Sequence, residues 1–279
     1  MRHDARTHQG RRGRGRRLTS VFASDTLGPL GREFEDTDEL RGARFTRVDL
    51  SGARFRDVDL RGAKIVDAFL AGADLSGIID GLRVNGVEVA PLVEAELDRR
   101  DPDRVRIRNA KDPDALRDAW SLVETRWAAT MERAGRLPEA TLHERVDEEW
   151  SFVETLRHLI FVTDAWVRRP ILGAADYHPL GLPQSGFGDA SWIGIEAGVA
   201  PSFAEVADAR TDRMRIVREI VDQLTASEFA RVCGQNPAPG YPPQTIVPVG
   251  LCLGVTCDEE WQHHGYAVRD LDLLERASD

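Results

Sequence analysis

Between Asp38 and Leu75 a large apolar residue returns every five positions: Leu40, Phe45, Leu50, Phe55, Leu60, Ile65, Leu70 and Leu75. From Phe45 onward a smaller residue stands two places before each: Ala43, Val48, Ala53, Val58, Ala63, Ala68 and Ala73. The positions between are mostly Arg, Asp, Ser and Gly. A helical face returns every 3.6 residues and a strand face every 2, so this spacing belongs to neither. An unbroken repeat fixes the architecture of its own segment before any ordinary pattern is considered.

The stretch ARFTRVDLSGARFRDVDLRGAKIVDAFLAGADL resembles the pentapeptide-repeat family. That resemblance implies a right-handed, four-sided β-solenoid with the large residue stacked inside each face. With four pentapeptides to a coil, forty residues make about two coils, and a solenoid that short needs a cap or a neighbour over its ends. Long members of the family imitate duplex DNA. Two coils are too few for that, and arginine is plentiful on the outside here. The unit is read as a structural or interaction module without catalytic residues.

Four segments are expected: a disordered tail over 1–30, the repeat over 31–80, a hairpin and linker over 81–111, and a helical bundle over 112–279. The tail holds seven arginines and one aspartate within residues 1–17, with almost nothing apolar to bury. It reads as a disordered extension or as a basic arm for nucleic acid. The whole chain has a net charge of −10, so the body behind that tail is strongly acidic. An acidic body opposes a nucleic-acid surface, which needs clustered Lys and Arg. No apolar run approaches the roughly 18 residues of a membrane span, and no signal peptide is seen. Cys233, Cys252 and Cys257 form no disulfide framework, so a reducing cytoplasm is expected. Nearly all basic residues are arginine, which points to a GC-rich bacterial genome.

Asn85-Gly86 inside GLRVNGVEV signals a type I′ hairpin. Pro91 opens a short helix, and Asp101 to Asp112 reads as a polar connection between domains. Asp112-Pro113 starts the first long helix, with Leu116, Trp120, Val123, Trp127 and Met131 on one stripe. Ser151 and Glu154 form a capping box for the second, which runs to Arg168-Arg169-Pro170. Residues 171–200 carry eight Gly or Pro positions with Tyr177, His178, Phe187 and Trp192 among them, and a loop that long is expected to line a site. Ser202 and Glu205 cap a third helix to about Leu224. The fourth runs from about Val249 to Arg276, with Cys252, Val255, Tyr266 and Leu273 leaning toward a core.

That last helix carries Glu259 and His263, four apart and therefore one above the other. Glu260 and His264 repeat the spacing on another face. Solvated helices carry such pairs too, so a third ligand decides the matter. His158, in the apolar middle of the second helix, is either that ligand or a hydrogen-bonded core histidine.

The stretches WSFVETLRHLIFVTDAWV and EEWQHHGYAVRDLDLL resemble the DinB-like metalloprotein superfamily. The resemblance covers about residue 112 to the C-terminus and implies a four-helix bundle. One metal ligand then comes from the second helix and two, at i and i+4, from the last: His158, Glu259 and His263. Glu at the middle place departs from the all-His pattern and agrees with the mycothiol-dependent maleylpyruvate isomerase branch. The expected fold class is therefore α+β, a short solenoid followed by a DinB-like bundle.

Two imidazoles and a carboxylate suit zinc, with nickel the alternative, and three ligands leave an open position for chemistry. The expected activity is a metal-dependent thiol S-transferase or isomerase on a small molecule, with mycothiol or a similar thiol as co-substrate. The alternatives are a hydrolase in which Glu154 or Glu260 serves as base, and a non-catalytic scaffold acting through the solenoid, in either case with a homodimer open. Trp150 and Arg269 are candidate substrate contacts, Arg269 having a salt bridge to Asp270 as its other reading. Glu154, Glu260 and His264 are placed around the ligands or in solvent.

Overall fold

The structure is a computed structural model. It describes residues 33–278 apart from 36, 185–186, 197, 235, 237–239 and 243–245. The Arg-rich tail lies outside the described residues. The chain divides into two units, Met1–Val58 and Asp59–Asp279, each taken by itself.

In the first unit the amides of Ala43 and Ala53 donate to the carbonyls of Leu40 and Leu50 at 2.9 and 3.0 Å. The second unit begins with the same turns, Ala63 to Leu60 at 3.0 Å and Ala73 to Leu70 at 3.1 Å. Gly42, Gly52, Gly62 and Gly72, with φ of 74–78°, fill the third turn position, where a side chain is strained. Halfway between them Arg47, Asp57 and Asp67 take φ of 50–54°. A five-residue repeat in sequence is thus a ten-residue unit in structure, with glycine and non-glycine corners alternating. The recurring large residues, Leu40 to Leu75, expected to stack inside, are instead 41–65% exposed, since a repeat this short has too few neighbouring turns to cover them.

Strands β1 (Arg83–Val84) and β2 (Val87–Glu88) form a hairpin. Asn85 and Gly86 both have positive φ, as a type I′ turn requires. Helix α1 (Ala90–Arg100) follows. The segment expected to be a polar connection is instead helix α2 (Pro102–Arg108), begun by a proline at its first position. Its Ile107 is buried in the core, and Arg104 and Arg108 bind Glu94 and Asp98 of α1. One buried apolar residue in a charged septet leaves almost no periodicity to read.

Helix α3 (Pro113–Ala134) starts on the Asp112 carboxylate, which accepts the amides of Asp114 and Ala115 at 3.0 and 2.9 Å. After α4 (Glu139–Leu142) comes α5 (Phe152–Thr163), with both halves of its capping box formed: Glu154 N–H to Ser151 Oγ at 3.2 Å and Ser151 N–H to the Glu154 carboxylate at 2.9 Å. It continues as a π-helical turn, Asp164–Arg168. Helices α6 (Phe203–Asp222), α7 (Ala226–Ala230) and α8 (Val249–Ser278) complete the chain. The Ser202 capping box of α6 is also present.

Helix α5 packs on α6 and α8, and α3 packs on the same two, so these four make the bundle. Leu116, Trp120, Val123 and Trp127 of α3 meet Leu156, Leu159 and Ile160 of α5 and Cys252, Leu253 and Cys257 of α8 in one core. Helix α8 buries the line Cys252, Thr256, Glu260, Ala267 and Leu271. Tyr266 and Leu273, expected inside, are 47% and 39% exposed, and Val255 is half-buried. Two faces of α8 carry apolar residues, and the neighbouring helices cover only one. All three cysteines are buried. Among the described residues no helix is long and apolar enough to cross a membrane.

Ser151→Ala deletes the cap of the most buried helix. It should lower unfolding stability by about 1 kcal/mol, seen as a lower urea midpoint with an unchanged slope.

Candidate metal centre

The capping box sets the start of α5 and therefore which way His158 points, one turn beyond Glu154. Its imidazole is 5% exposed and faces α8. On α8, Glu259 and His263 stand one turn apart. His158 Nε2 and His263 Nε2 each lie 3.8 Å from Glu259 Oε2, and one donor atom from each of the three residues falls within 4.8 Å of the others. Donors about 2.0–2.1 Å from a tetrahedral zinc are about 3.3 Å from one another. Small side-chain rotations close that difference.

The ring nitrogens support the fit. His158 Nδ1 lies 2.9 Å from the carbonyl oxygen of Leu182. A carbonyl only accepts, so Nδ1 carries the proton and Nε2 presents its lone pair to the cluster. Neither nitrogen of His263 has a hydrogen-bond partner among the described residues, although both are buried. Buried polar atoms are rarely left so, and a metal ion would occupy one of them. Burial, reinforced by His158, pushes the His263 imidazole down to about 4, so it stands neutral and able to ligate.

Trp150 covers one side of this cluster. Its ring centroid is 4.6 Å from that of His158 and 6.0 Å from that of His263. Tyr266 stands 5.7 Å from His263 on the exposed side. Arg269, a candidate for an anionic substrate, is engaged elsewhere: it bonds Asp270 at 2.7 Å and Glu149 at 2.6 Å. The second contact fastens the residue next to Trp150 onto α8.

The other carboxylates and His264 have separate roles. Glu154 is held by Arg145 and by its own cap. Glu260 is fully buried and pairs with Arg210 of α6, itself 4% exposed. The Arg210 guanidinium also lies over the Trp127 ring. Burial raises the Glu260 carboxyl against the pull of Arg210. His264 Nε2 meets Thr130 Oγ1 at 2.9 Å, and its ring packs edge-on against Trp127. The two Glu–His pairs thus separate: Glu259 and His263 turn to α5, while Glu260 meets α6 and His264 meets α3. The Leu182 carbonyl was not foreseen; a backbone atom in a glycine-rich loop leaves no mark in the sequence.

A helical bundle in which one histidine from an inner helix meets a Glu-x3-His pair from the last is the class that this geometry defines. The model of the DinB superfamily matches residues 122–267, and pentapeptide repeats match residues 39–77 in eight copies. The chain belongs to the DinB superfamily. No curated protein and no solved structure matches it.

Arg210→Met leaves the Glu260 carboxylate buried without its partner and should destabilise the protein by about 3 kcal/mol, with Arg210→Met/Glu260→Met recovering most of the loss. Urea denaturation of the two variants checks this.

Proposed function

We propose that this protein is a metal-dependent enzyme in which His158, Glu259 and His263 hold one divalent cation. Zinc suits the donor set best, with nickel next. The observation that carries this reading is the His263 imidazole, whose two nitrogens are buried and unpartnered among the described residues beside two further candidate ligand atoms. A cation with three protein ligands supplies Lewis acidity to a fourth group, a thiol or water.

The preferred reaction is transfer or isomerisation through a low-molecular-weight thiol of the mycothiol kind, on a small-molecule substrate. Glu259 is 36% exposed as a side chain, so a solute can approach the cluster from its side. Trp150 would form an apolar wall against it. A hydrolase is less favoured, because the two carboxylates offered as bases, Glu154 and Glu260, are already bound by arginines. We place the protein in a reducing cytoplasm, in keeping with three buried free thiols. We propose that the repeat winds as a short solenoid. Its 41–65% exposed apolar row suits it to cover by another protein surface, a second copy of this chain included.

Mass-spectrometric metal analysis of untagged protein tests the centre. About one zinc or nickel per chain is expected in the wild type, and less than a tenth of that in His158→Ala and in Glu259→Ala with their folds intact by circular dichroism. A metal-free wild type that stays so after reconstitution overturns the reading. Turnover that needs added thiol separates transferase from hydrolase.

A further inference from the structure

Next to His158 on α5 stands Arg157, a guanidinium 3% exposed in the middle of an apolar helix. Its guanidinium donates to three backbone carbonyls of one loop. Nε donates to Leu180 at 3.0 Å, Nη1 to Val199 at 2.9 Å and Nη2 to Glu196 at 3.2 Å. The main chain of Arg157 is tied to the same loop, since its carbonyl accepts the Leu182 amide at 3.1 Å. The carbonyl of that same Leu182 receives the His158 Nδ1 proton. One residue of the loop therefore answers to Arg157 with its N–H and to His158 with its C=O.

A buried charge is costly unless it is fully satisfied. An apolar side chain at 157 would fill the same space without that cost, so the guanidinium is retained for what its fork of donors holds. Only a planar group with several fixed donors reaches three carbonyls on two arms of a loop at once.

We infer that Arg157 is a positioning residue for the metal centre: it clamps the loop through Leu180, Glu196 and Val199, and the loop's Leu182 carbonyl fixes the His158 imidazole with its proton on Nδ1 and its Nε2 lone pair toward Glu259 and His263. Partners of this outer kind typically alter metal affinity by about 10–100-fold when removed. The inference rests on the metal reading for its affinity arm and on the geometry alone for its tautomer arm.

The test uses full-length protein stripped of metal, with 15N-labelled histidine. Two-bond 1H–15N correlations give the tautomer of His158, and zinc titration against a chromophoric chelator gives affinity. Wild type should show a single Nδ1–H tautomer. Arg157→Met should show a mixture of tautomers and bind zinc about 10–100-fold more weakly. Arg157→Lys, able to reach one carbonyl at a time, should fall between. A folded Arg157→Met with the wild-type tautomer and wild-type zinc affinity overturns the inference. Should that variant fail to fold, Arg157→Lys decides by the same two readouts, unchanged values again overturning it. A wild type that binds no zinc while its His158 tautomer is fixed, and is lost in the variants, refutes the metal reading and upholds the clamp. A loop that Arg157 merely stabilised would lower the denaturation midpoint and leave the tautomer in place.

Discussion

Helix α5 is buried along eleven of its twelve residues, and three ionisable groups lie inside with it: Arg157, His158 and, at the start of the π-helical turn, Asp164. Everything around the centre follows from the need to satisfy them without water. The Asp164 carboxylate takes Arg213 of α6 at 2.9 Å, Arg168 at 3.0 Å and the backbone amide of His178 at 2.6 Å. Arg157 and His158 take carbonyls from the same stretch of chain, between Leu180 and Val199. The segment after α5 is thus the solvent substitute for three buried groups, and its path is dictated by where they stand. That segment also closes its own small core, in which Phe161 of α5 stacks on Tyr177 and Ile195 and Ala190 fill the remainder.

The last helix meets the same constraint from the other direction. Glu259 and Glu260 are neighbours in sequence and about 100° apart on the helix, which gives them different surroundings. Glu260 enters the core and requires Arg210 there; Glu259 stays at the rim, between two imidazoles.

Much of this was legible because it is local. Capping boxes at Ser151 and Ser202, the Asp112-Pro113 start and the Asn85-Gly86 turn each depend on residues within four positions of one another, and each forms as read. The Glu259–His263 spacing is local as well, and His158 joins it through the family pattern. What failed depends on partners distant in sequence. Tyr266 and Leu273 stay 47% and 39% exposed on α8, and nothing in α8 says which face its neighbours choose. Arg269 meets Glu149, and Glu260 meets Arg210, across separations that spacing cannot show. Helix α2 was missed because the charges that dominate it belong to an ion-pair ladder with α1. The alternation of the repeat was visible in its glycines at 42, 52, 62 and 72, which recur every ten residues and not every five.

Exposure of the three candidate ligand side chains rises from 6% at His158 through 15% at His263 to 36% at Glu259. The closed side is held from behind by the loop carbonyl, and the open side is a carboxylate on a helix face. The two ligands of α8 move as one because a single helical turn joins them, whereas the third is on another helix. The distance between α5 and α8 therefore sets whether all three converge. A cation held by all three residues would tie the two helices directly, so it would favour the packed bundle over any looser arrangement, and its affinity would contain part of the packing energy. Substitutions in the shared core, far from the donors, would then act on such a cation through that distance, and the cation would in turn protect the core they weaken.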